Sequence, residues 1–369
     1  MDEYLTILSN SIIYQMSLAS RELFHSNLWA WMMQRDPRII RDVFGLDVAA
    51  LEIKREQQHR DISIHTADGT YIIENKFKAI PTEQQLKEYT EGCENFQGGI
   101  LTGIREPSIK LPKGWGFLGY GEIAKRLTVF FENNTDSALG DEKSIIEKYV
   151  EMVNVLCAIV EDKFESGPAL ICLSPKDYCA VGLFAELHLD DLLVKQYADD
   201  FCKYLYSRIE DKKKAGGWKQ PSGWELKIEA DFSDKSGIVN VFLYTPNEQI
   251  SSRQKLYYRN LIGIQLQGNQ YRRCCADAGE SKRGLDDLFH VYRSKSWFSK
   301  HEGNGKKKTI WGYSTSMSPR GGKQYNKYQT EQYNFVYQYY NMDETLKQYA
   351  NLADRIIEDM TIAINIIKM

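Results

Sequence analysis

The pattern of polar and apolar residues between positions 61 and 76 predicts a β-hairpin. Positions 61 to 64 follow the pattern of a half-buried strand. Asp68-Gly69 is a strong signal for a two-residue loop, and the β-forming residues after it begin the return strand. One face of this hairpin suits a protein core because it carries three isoleucines, Ile62, Ile64 and Ile73.

The opposite face of the predicted hairpin collects charge. If Asp68-Gly69 forms the loop, Asp61 pairs with Lys76, and Glu74 shares their face because strand side chains alternate with period two. A loop longer by one residue would turn Asp61 to the other face. Two carboxylates and one ammonium group on one face suit metal-assisted hydrolysis of a phosphodiester. An edge hairpin with scattered surface charges is the alternative.

Helices are predicted on both sides of the hairpin. Residues 20 to 31 place an apolar stripe on one side of a helix. The stripe consists of Phe24, Leu28 and Trp31. Another side carries three polar residues, Glu22, His25 and Ser26. After the hairpin, Thr82 is predicted to cap a helix with Gln85 and Tyr89 on one face, and a strand follows at residues 99 to 104.

This order of segments resembles the PD-(D/E)XK nuclease superfamily, in particular the branch with a Glu-x-x-His-Ser helix before the catalytic hairpin and a Gln-Leu-x-x-Tyr helix after it. The resembling residues are Asp61, Glu74 and Lys76 in the hairpin, Glu22, His25 and Ser26 before it, and Gln85, Leu86 and Tyr89 after it. Residues 115 to 123 are similar to that branch's next strand and helix. The resemblance covers roughly residues 15 to 200. Arg60 stands where the motif often has proline.

The resemblance implies an α/β (α+β) fold: a restriction-endonuclease-like mixed sheet flanked by helices, with the hairpin at its centre. It also implies that Asp61 and Glu74 bind Mg²⁺ or Mn²⁺, since hard oxygen ligands suit these ions. Glu22 would be a further metal ligand or would support one. An exposed carboxylate on a helix face is the alternative for Glu22. Glu56 remains a weaker candidate for the same site.

The resemblance assigns the remaining chemistry to three side chains. Lys76 would orient or deprotonate the attacking water, or stabilise the charge of the transition state. Gln85 would hold a phosphate or the water, and Tyr89 would contact substrate. A surface glutamine and a packing tyrosine are the alternatives for the last two.

Composition is that of an ordinary globular protein, with 369 residues of which 43% are hydrophobic and 26% charged. No apolar run reaches the length of a membrane helix, and the first residues do not resemble an export signal. None of the seven cysteines forms a Cys-x-x-Cys pair, so a zinc site or a disulfide framework is not indicated. We therefore expect a cytoplasmic protein without a membrane partner.

The C-terminal part differs in character. A Gly/Pro/Ser cluster at 215–223 predicts a linker, which gives a nuclease domain at 1–215 and a second region at 216–369. That region is predicted to be β-rich and closed by a long helix at about 343–368. Residues 251–340 hold 16 lysines and arginines against 6 acidic residues, whereas the whole chain has a net charge of −3. Aromatic residues lie between these lysines and arginines. This suits the binding of a nucleic acid, whose nucleobases can stack on aromatic rings.

Lys306, Lys307 and Lys308 form the sharpest basic cluster and are predicted to contact substrate phosphates. A solvated basic surface on a β-rich domain is the alternative.

Together these patterns predict a Mg²⁺-dependent nuclease that acts on nucleic acid. The resemblance favours DNA, and a role in bacterial defence follows by analogy. A homodimer would be favoured if both strands are cut. The alternative is a catalytically silent protein that keeps the nuclease fold and binds nucleic acid or senses a signal.

Overall fold

A computed structural model gives the structure of the chain. It describes residues 2–17, 21–164, 167, 169–175, 186–233, 235–246, 258–278, 282–298, 308–310, 313–315, 325–330 and 333–369. Within these ranges the chain is a mixture of helices and strands, with a five-stranded mixed sheet and a six-stranded antiparallel sheet.

The chain divides into two compact units. The first comprises Met1–Gly167 and Ala180–Leu193, and the second comprises Pro168–Cys179 and Val194–Met369. This division differs from the boundary that we predicted at residue 215. The Gly/Pro/Ser cluster connects a helix to a strand of the second unit. Residues that precede the cluster already pack within the second unit. The ring of Phe201, for example, lies 5.0 Å from that of Tyr349.

The sheet of the first unit has the order β1-β2-β3-β4-β5. Its first three strands are antiparallel, and β4 and β5 run parallel to β3. The strands are β1 (Glu52–Gln57), β2 (Arg60–His65), β3 (Thr70–Lys76), β4 (Phe96–Gly103) and β5 (Trp115–Gly119). The helices are α1 (Asp2–Asn10), α2 (Ile12–Ser17), α3 (Arg21–Arg35), α4 (Arg38–Asp42), α5 (Glu83–Glu91), α6 (Tyr120–Asn133) and α7 (Lys143–Phe164).

Helix α5 connects β3 to the parallel strand β4 and covers one face of the sheet. Thr82 caps this helix as predicted, because its hydroxyl accepts the Gln85 N–H at 3.2 Å. Leu86 packs beneath the helix on Ile72 and Leu101. Residues of α5 are therefore held over the face of β3 that also carries Glu74.

Helix α3 contacts the hairpin through a different face from the one that its apolar stripe suggested. Phe24 and Leu28 are only half-buried, whereas His25, Ser26 and Trp29 are fully buried. The polar residues of this face are buried because they have partners: the Trp29 indole N–H donates to the Tyr149 hydroxyl at 2.9 Å, and the His25 ring lies within hydrogen-bonding distance of it.

The sheet of the second unit is antiparallel and has the order β12-β13-β9-β8-β7-β6. Its strands are β6 (Glu225–Ser233), β7 (Ser236–Pro246), β8 (Tyr258–Gln267), β9 (Gln270–Ala278), β12 (Asn326–Thr330) and β13 (Tyr333–Asn341), and a separate pair is formed by β10 (Lys308–Ile310) and β11 (Tyr313–Thr315). The helices are α8 (Asp190–Lys214), α9 (Leu285–Ser294) and α10 (Tyr349–Lys368).

A buried ion pair joins α10 to the sheet of the second unit. Asp359 is fully buried and accepts hydrogen bonds from Tyr271 at 2.8 Å and from Arg273 at 2.9 and 2.7 Å. The region is thus β-rich and closed by a long C-terminal helix, as predicted. None of the helices in the described ranges has the length and hydropathy of a membrane-spanning segment.

Candidate active site

The hairpin of β2 and β3 exists, but its loop is not the predicted one. His65 pairs with Thr70, and Thr66 N–H donates to the Gly69 carbonyl at 2.8 Å, so the loop centres on Ala67 and Asp68. Gly69 has a φ of +146°. A Cβ at Gly69 would lie 2.1 Å from the Asn95 carbonyl oxygen. Glycine is needed there because of this close approach.

The change of loop slips the strand pairing by two residues. Ile62 pairs with Ile73, and the next step along this register brings Asp61 opposite Glu74 rather than Lys76. Side chains alternate with period two, so an even slip leaves Asp61 on the face of Glu74 and Lys76. The isoleucine face is also as predicted, because Ile62, Ile64 and Ile73 are fully buried.

Asp61 lies where the two strands separate. Its Oδ2 accepts the backbone N–H of Asn75 at 2.7 Å. Burial raises the pKa of Asp61 to about 6, against a lowering by that hydrogen bond and by Lys76. The carboxylates of Glu22 and Glu56 raise it further. The carboxyl group is therefore held in place and costs free energy when it is charged.

Glu74 is the centre of the site. It is 2% exposed, and its Oε1 lies 2.7 Å from Lys76 Nζ and 3.2 Å from Gln85 Nε2. Burial, together with the repulsion of Asp61, raises the pKa of Glu74 to about 7, against the lowering by Lys76. Two carboxylates and one ammonium group thus share a poorly solvated space.

Lys76 is the cation of the site, and its side chain is 12% exposed. Burial is the largest single effect and lowers its pKa, but the charge and hydrogen bond of Glu74, together with the charges of Glu22 and Asp61, outweigh burial, so that the pKa of Lys76 is raised. The side chain therefore keeps its proton in this arrangement and acts as a hydrogen-bond donor and a positive charge.

The second oxygen of Glu74 has no protein partner. Glu74 Oε2 is buried and makes no hydrogen bond with the residues that the structure describes. A buried carboxylate oxygen without a donor is costly, and such atoms call for a water or an ion. The donor set fits a hard divalent cation because Mg²⁺ is commonly held by one or two protein carboxylates and waters.

The number of possible metal ligands at the site is small. Among the described residues, no group of three or more His, Cys, Asp or Glu side chains is arranged to hold a metal ion. The candidate therefore rests on two carboxylates, Asp61 and Glu74.

Glu22 is placed beside the site but is already engaged. Its Oε1 accepts the backbone N–H groups of Lys78 and Ala79 at 3.0 and 2.6 Å. It fixes the chain that leaves β3 and adds negative charge near Asp61 and Lys76. These bonds engage only Oε1, and the role of Glu22 as a metal ligand stays a prediction.

Gln85 and Tyr89 form a chain of hydrogen bonds that leads away from Glu74. Gln85 Nε2 donates to Glu74 and, at 2.7 Å, to the Tyr89 hydroxyl. That hydroxyl in turn donates to the His59 carbonyl at 2.7 Å. Gln85 therefore orients the carboxylate, and Tyr89 links it to the turn between β1 and β2.

Asn75 is a positioning residue that sequence reasoning missed. It is fully buried, and its amide donates to the Glu22 carbonyl at 2.7 Å and to Ser26 Oγ at 3.2 Å. Its Oδ1 accepts from Tyr120 at 2.5 Å and from Thr102 at 3.3 Å. Asn75 lies two residues after Ile73 and therefore on the same, core-facing side of the strand. This was the available signal, because a polar residue at a core position must be fully hydrogen-bonded.

The basic cluster of the C-terminal part cannot be related to this site. Lys306 and Lys307 lie outside the described residues. Lys308 begins β10, and the position of its side chain is outside what the structure describes. Their role in substrate binding stays a prediction.

Comparisons with known proteins add no assignment. No protein-family model, no curated protein and no solved structure matches the chain.

Proposed function

We propose that this protein is a metal-dependent nuclease of the PD-(D/E)XK type that hydrolyses phosphodiester bonds in DNA. The observation that carries the proposal is the buried Glu74 carboxylate. One of its oxygens is shared by Lys76 and Gln85, the other has no partner among the described residues, and Asp61 lies on the same face.

The architecture of the first unit supports a restriction-endonuclease-like fold. An antiparallel hairpin is followed by strands parallel to its second member, with α5 on one face of the sheet and α3 on the other. The candidate residues lie on the central strands β2 and β3 rather than on an edge, which weakens the alternative of scattered surface charges.

Asp61 and Glu74 would hold Mg²⁺ or Mn²⁺. A bound ion of this kind lowers the pKa of water and offsets the charge of the phosphate. Lys76 would donate a hydrogen bond to a phosphate oxygen and offset the charge that builds up in the transition state. The raised pKa of Lys76 favours this role over that of a proton acceptor. Gln85 would keep Glu74 oriented while the substrate binds.

Charge distribution supports nucleic acid as the substrate. The net charge of the chain is −3, yet residues 251–340 carry an excess of ten positive charges. Such a segment adds phosphate contacts whose strength falls with salt. The resemblance favours DNA over RNA, and a role in defence against foreign DNA rests on that resemblance alone.

The direct test offers the full chain circular DNA, linear DNA and RNA with Mg²⁺, with Mn²⁺ and with a chelator. The proposal expects DNA cleavage that needs the metal. Binding of DNA without cleavage under every condition would instead support the silent, nucleic-acid-binding alternative. Cleavage that survives the chelator would contradict the proposed chemistry.

A further inference from the structure

A polar cavity of about 480 Å³ lies at the end of α5 opposite to Gln85, and the proposed reaction does not use it. It is bounded by the β1–β2 turn, the β2–β3 loop and the chain that leaves α5. Several of its polar lining residues are Gln58, Arg60, His65, Thr66, Thr70 and Asn95. Its volume is in the range of small-ligand sites in proteins.

Arg60 is the unusual residue of this cavity. It is 5% exposed and makes no ion pair with any described residue, and its Nη2 donates to the Gly92 carbonyl. Its buried Nε has no hydrogen-bond partner among the described residues. Arginine is rarely buried unless it is paired, because a buried charge without a counter-charge is costly. The Arg60 guanidinium, which has no counter-charge among the described residues, is therefore suited to bind an anion.

The backbone around the cavity is held in uncommon conformations. Gln58, His59 and Asn95 have φ values of +55°, +65° and +55° without being glycine. For Gln58 and His59 these values belong to a two-residue hairpin turn between the paired residues Gln57 and Arg60, a turn in which both central residues have a positive φ. The Tyr89 hydroxyl holds the turn through the His59 carbonyl. The shape of the cavity is therefore tied to Gln85 and so to Glu74.

The length of α5 gives the distance between Arg60 and the site at which the phosphodiester bond would be cut. Gln85 meets Glu74 near the start of this helix, and Arg60 meets Gly92 just after its end. Seven residues of helix span roughly 10 Å, which equals about three nucleotide steps of a stacked strand at 3.4 Å each. Glu94 is the only carboxylate among the residues that line the cavity, and its side chain is exposed.

We propose that the Arg60 cavity binds a phosphate group of the nucleic-acid strand, a few nucleotides from the bond that the site cuts. Arginine suits this ligand because its planar fork donates two hydrogen bonds to one phosphate. The inference rests on the proposed function for the identity of the strand. The phosphate is either an internal phosphodiester or a terminal monophosphate.

The first experiment measures thermal unfolding of the full chain with chelator present throughout. It compares phosphate with chloride at equal ionic strength. Inorganic phosphate should raise the midpoint of the wild type, because a ligand that binds only the folded state stabilises it. The rise should be lost in Arg60→Gln. Arg41→Gln is the matched control, because Arg41 is exposed and paired with Asp42. No rise in the wild type would overturn the proposal.

The second experiment measures the affinity for oligonucleotides in chelator, where no cutting occurs. Arg60→Gln should weaken binding about tenfold or more. The slope of log affinity against log salt concentration should fall by about one, which corresponds to one lost phosphate contact. Arg60→Lys should retain part of the affinity, and it replaces Arg60→Gln if that variant does not fold. Phosphate should also compete with the oligonucleotide for the wild type. Affinities equal to that of Arg41→Gln would overturn the proposal.

The strands offered identify the source of the phosphate. A circular strand, a linear strand with a 5′-hydroxyl and one with a 5′-phosphate are compared. An equal loss on all three assigns an internal phosphodiester, and a loss confined to the last assigns a terminal phosphate. Arg60-dependent binding without metal-dependent cleavage would refute the nuclease and leave the cavity assignment standing. Cleavage without Arg60 dependence would refute the cavity assignment alone.

Discussion

Lys76 is the residue whose removal best separates chemistry from binding. Its ammonium group lies 2.7 Å from Glu74 Oε1 and is largely buried. We expect Lys76→Ala to lower the rate of DNA cleavage by about 10² to 10⁴-fold, the usual range for losing one such group, and to change DNA affinity little. Lys87→Ala is the control, because Lys87 is an exposed lysine paired with Glu83 on α5. Equal activity of the two variants would remove Lys76 from the mechanism.

Substitution of Asp61 tests how much folding stability the buried carboxylate costs when no metal is bound. Its pKa is raised to about 6 from 3.8 by burial, so the folded state binds more protons than the unfolded state between these values. Stability of the metal-free protein is therefore lowered by Asp61 above about pH 6, and this loss disappears as the pH falls towards 4.

Asp61→Asn should thus raise the free energy of unfolding by about 1 to 3 kcal/mol at pH 8 and by little at pH 4. Chemical denaturation in chelator at both pH values measures this difference. Asp141→Asn is the control, because Asp141 is exposed. A lower stability for Asp61→Asn at pH 8 would mean that the carboxylate stabilises the fold.

At the scale of elements, the hairpin shows what the sequence determines and what it does not. The strand character of residues 61 to 64 and 71 to 76 determined which side chains share a face, because the side chains of a strand alternate between only two faces. The loop was predicted wrongly because Asp68-Gly69 is a common central pair of two-residue turns. Gly69 is instead required after the turn by the close Asn95 carbonyl, a contact between segments that are distant in sequence.

Gly69 offers a test of that contact. An alanine there would place its Cβ 2.1 Å from a backbone carbonyl oxygen at a φ of +146°. We expect Gly69→Ala to lower the free energy of unfolding by about 2 to 4 kcal/mol. Gly116→Ala in β5 is the matched control, since a Cβ at Gly116 would meet no atom within 4 Å. Thermal or denaturant unfolding of both variants decides, and equal stability would contradict the observed turn.

Helix α3 shows a second limit of sequence patterns. Its apolar stripe was visible, but the helix buries a face with His25 and Ser26 instead. Those side chains are tolerated because Tyr149 and Asn75 supply partners from segments that are remote in sequence. The same long-range hydrogen bonds explain why the role of Asn75 could not be seen in a linear pattern.

At the scale of the whole molecule, local signals predicted the main helices and strands, whereas the two compact units of the structure do not coincide with the predicted boundary. The Gly/Pro/Ser cluster marked a real connection, between α8 and β6. Helix packing, which composition does not reveal, assigns the residues from Val194 onward to the second unit. Arg60 was noted only as a departure from a motif, and its burial without a counter-charge became visible in three dimensions.

Acid sensitivity of the first unit should depend on His25. Burial lowers the pKa of His25 from 6.5 to about 3. The unfolded chain therefore binds a proton that the folded protein does not, and stability falls as the pH drops from 6.5 towards 3. Relative to His25→Asn, the wild type should lose about 1.4 kcal/mol per pH unit in this window. A constant difference between the two proteins across the window would contradict a neutral, buried His25.

The proposal that Asp61 and Glu74 hold a catalytic metal is tested most directly by the rate of plasmid cleavage as a function of Mg²⁺ concentration. We predict a saturable dependence for the wild type, no activity in chelator, and no activity at any Mg²⁺ concentration for folded Glu74→Gln. Cleavage by Glu74→Gln at the wild-type rate, or a rate that does not depend on metal, would contradict the account.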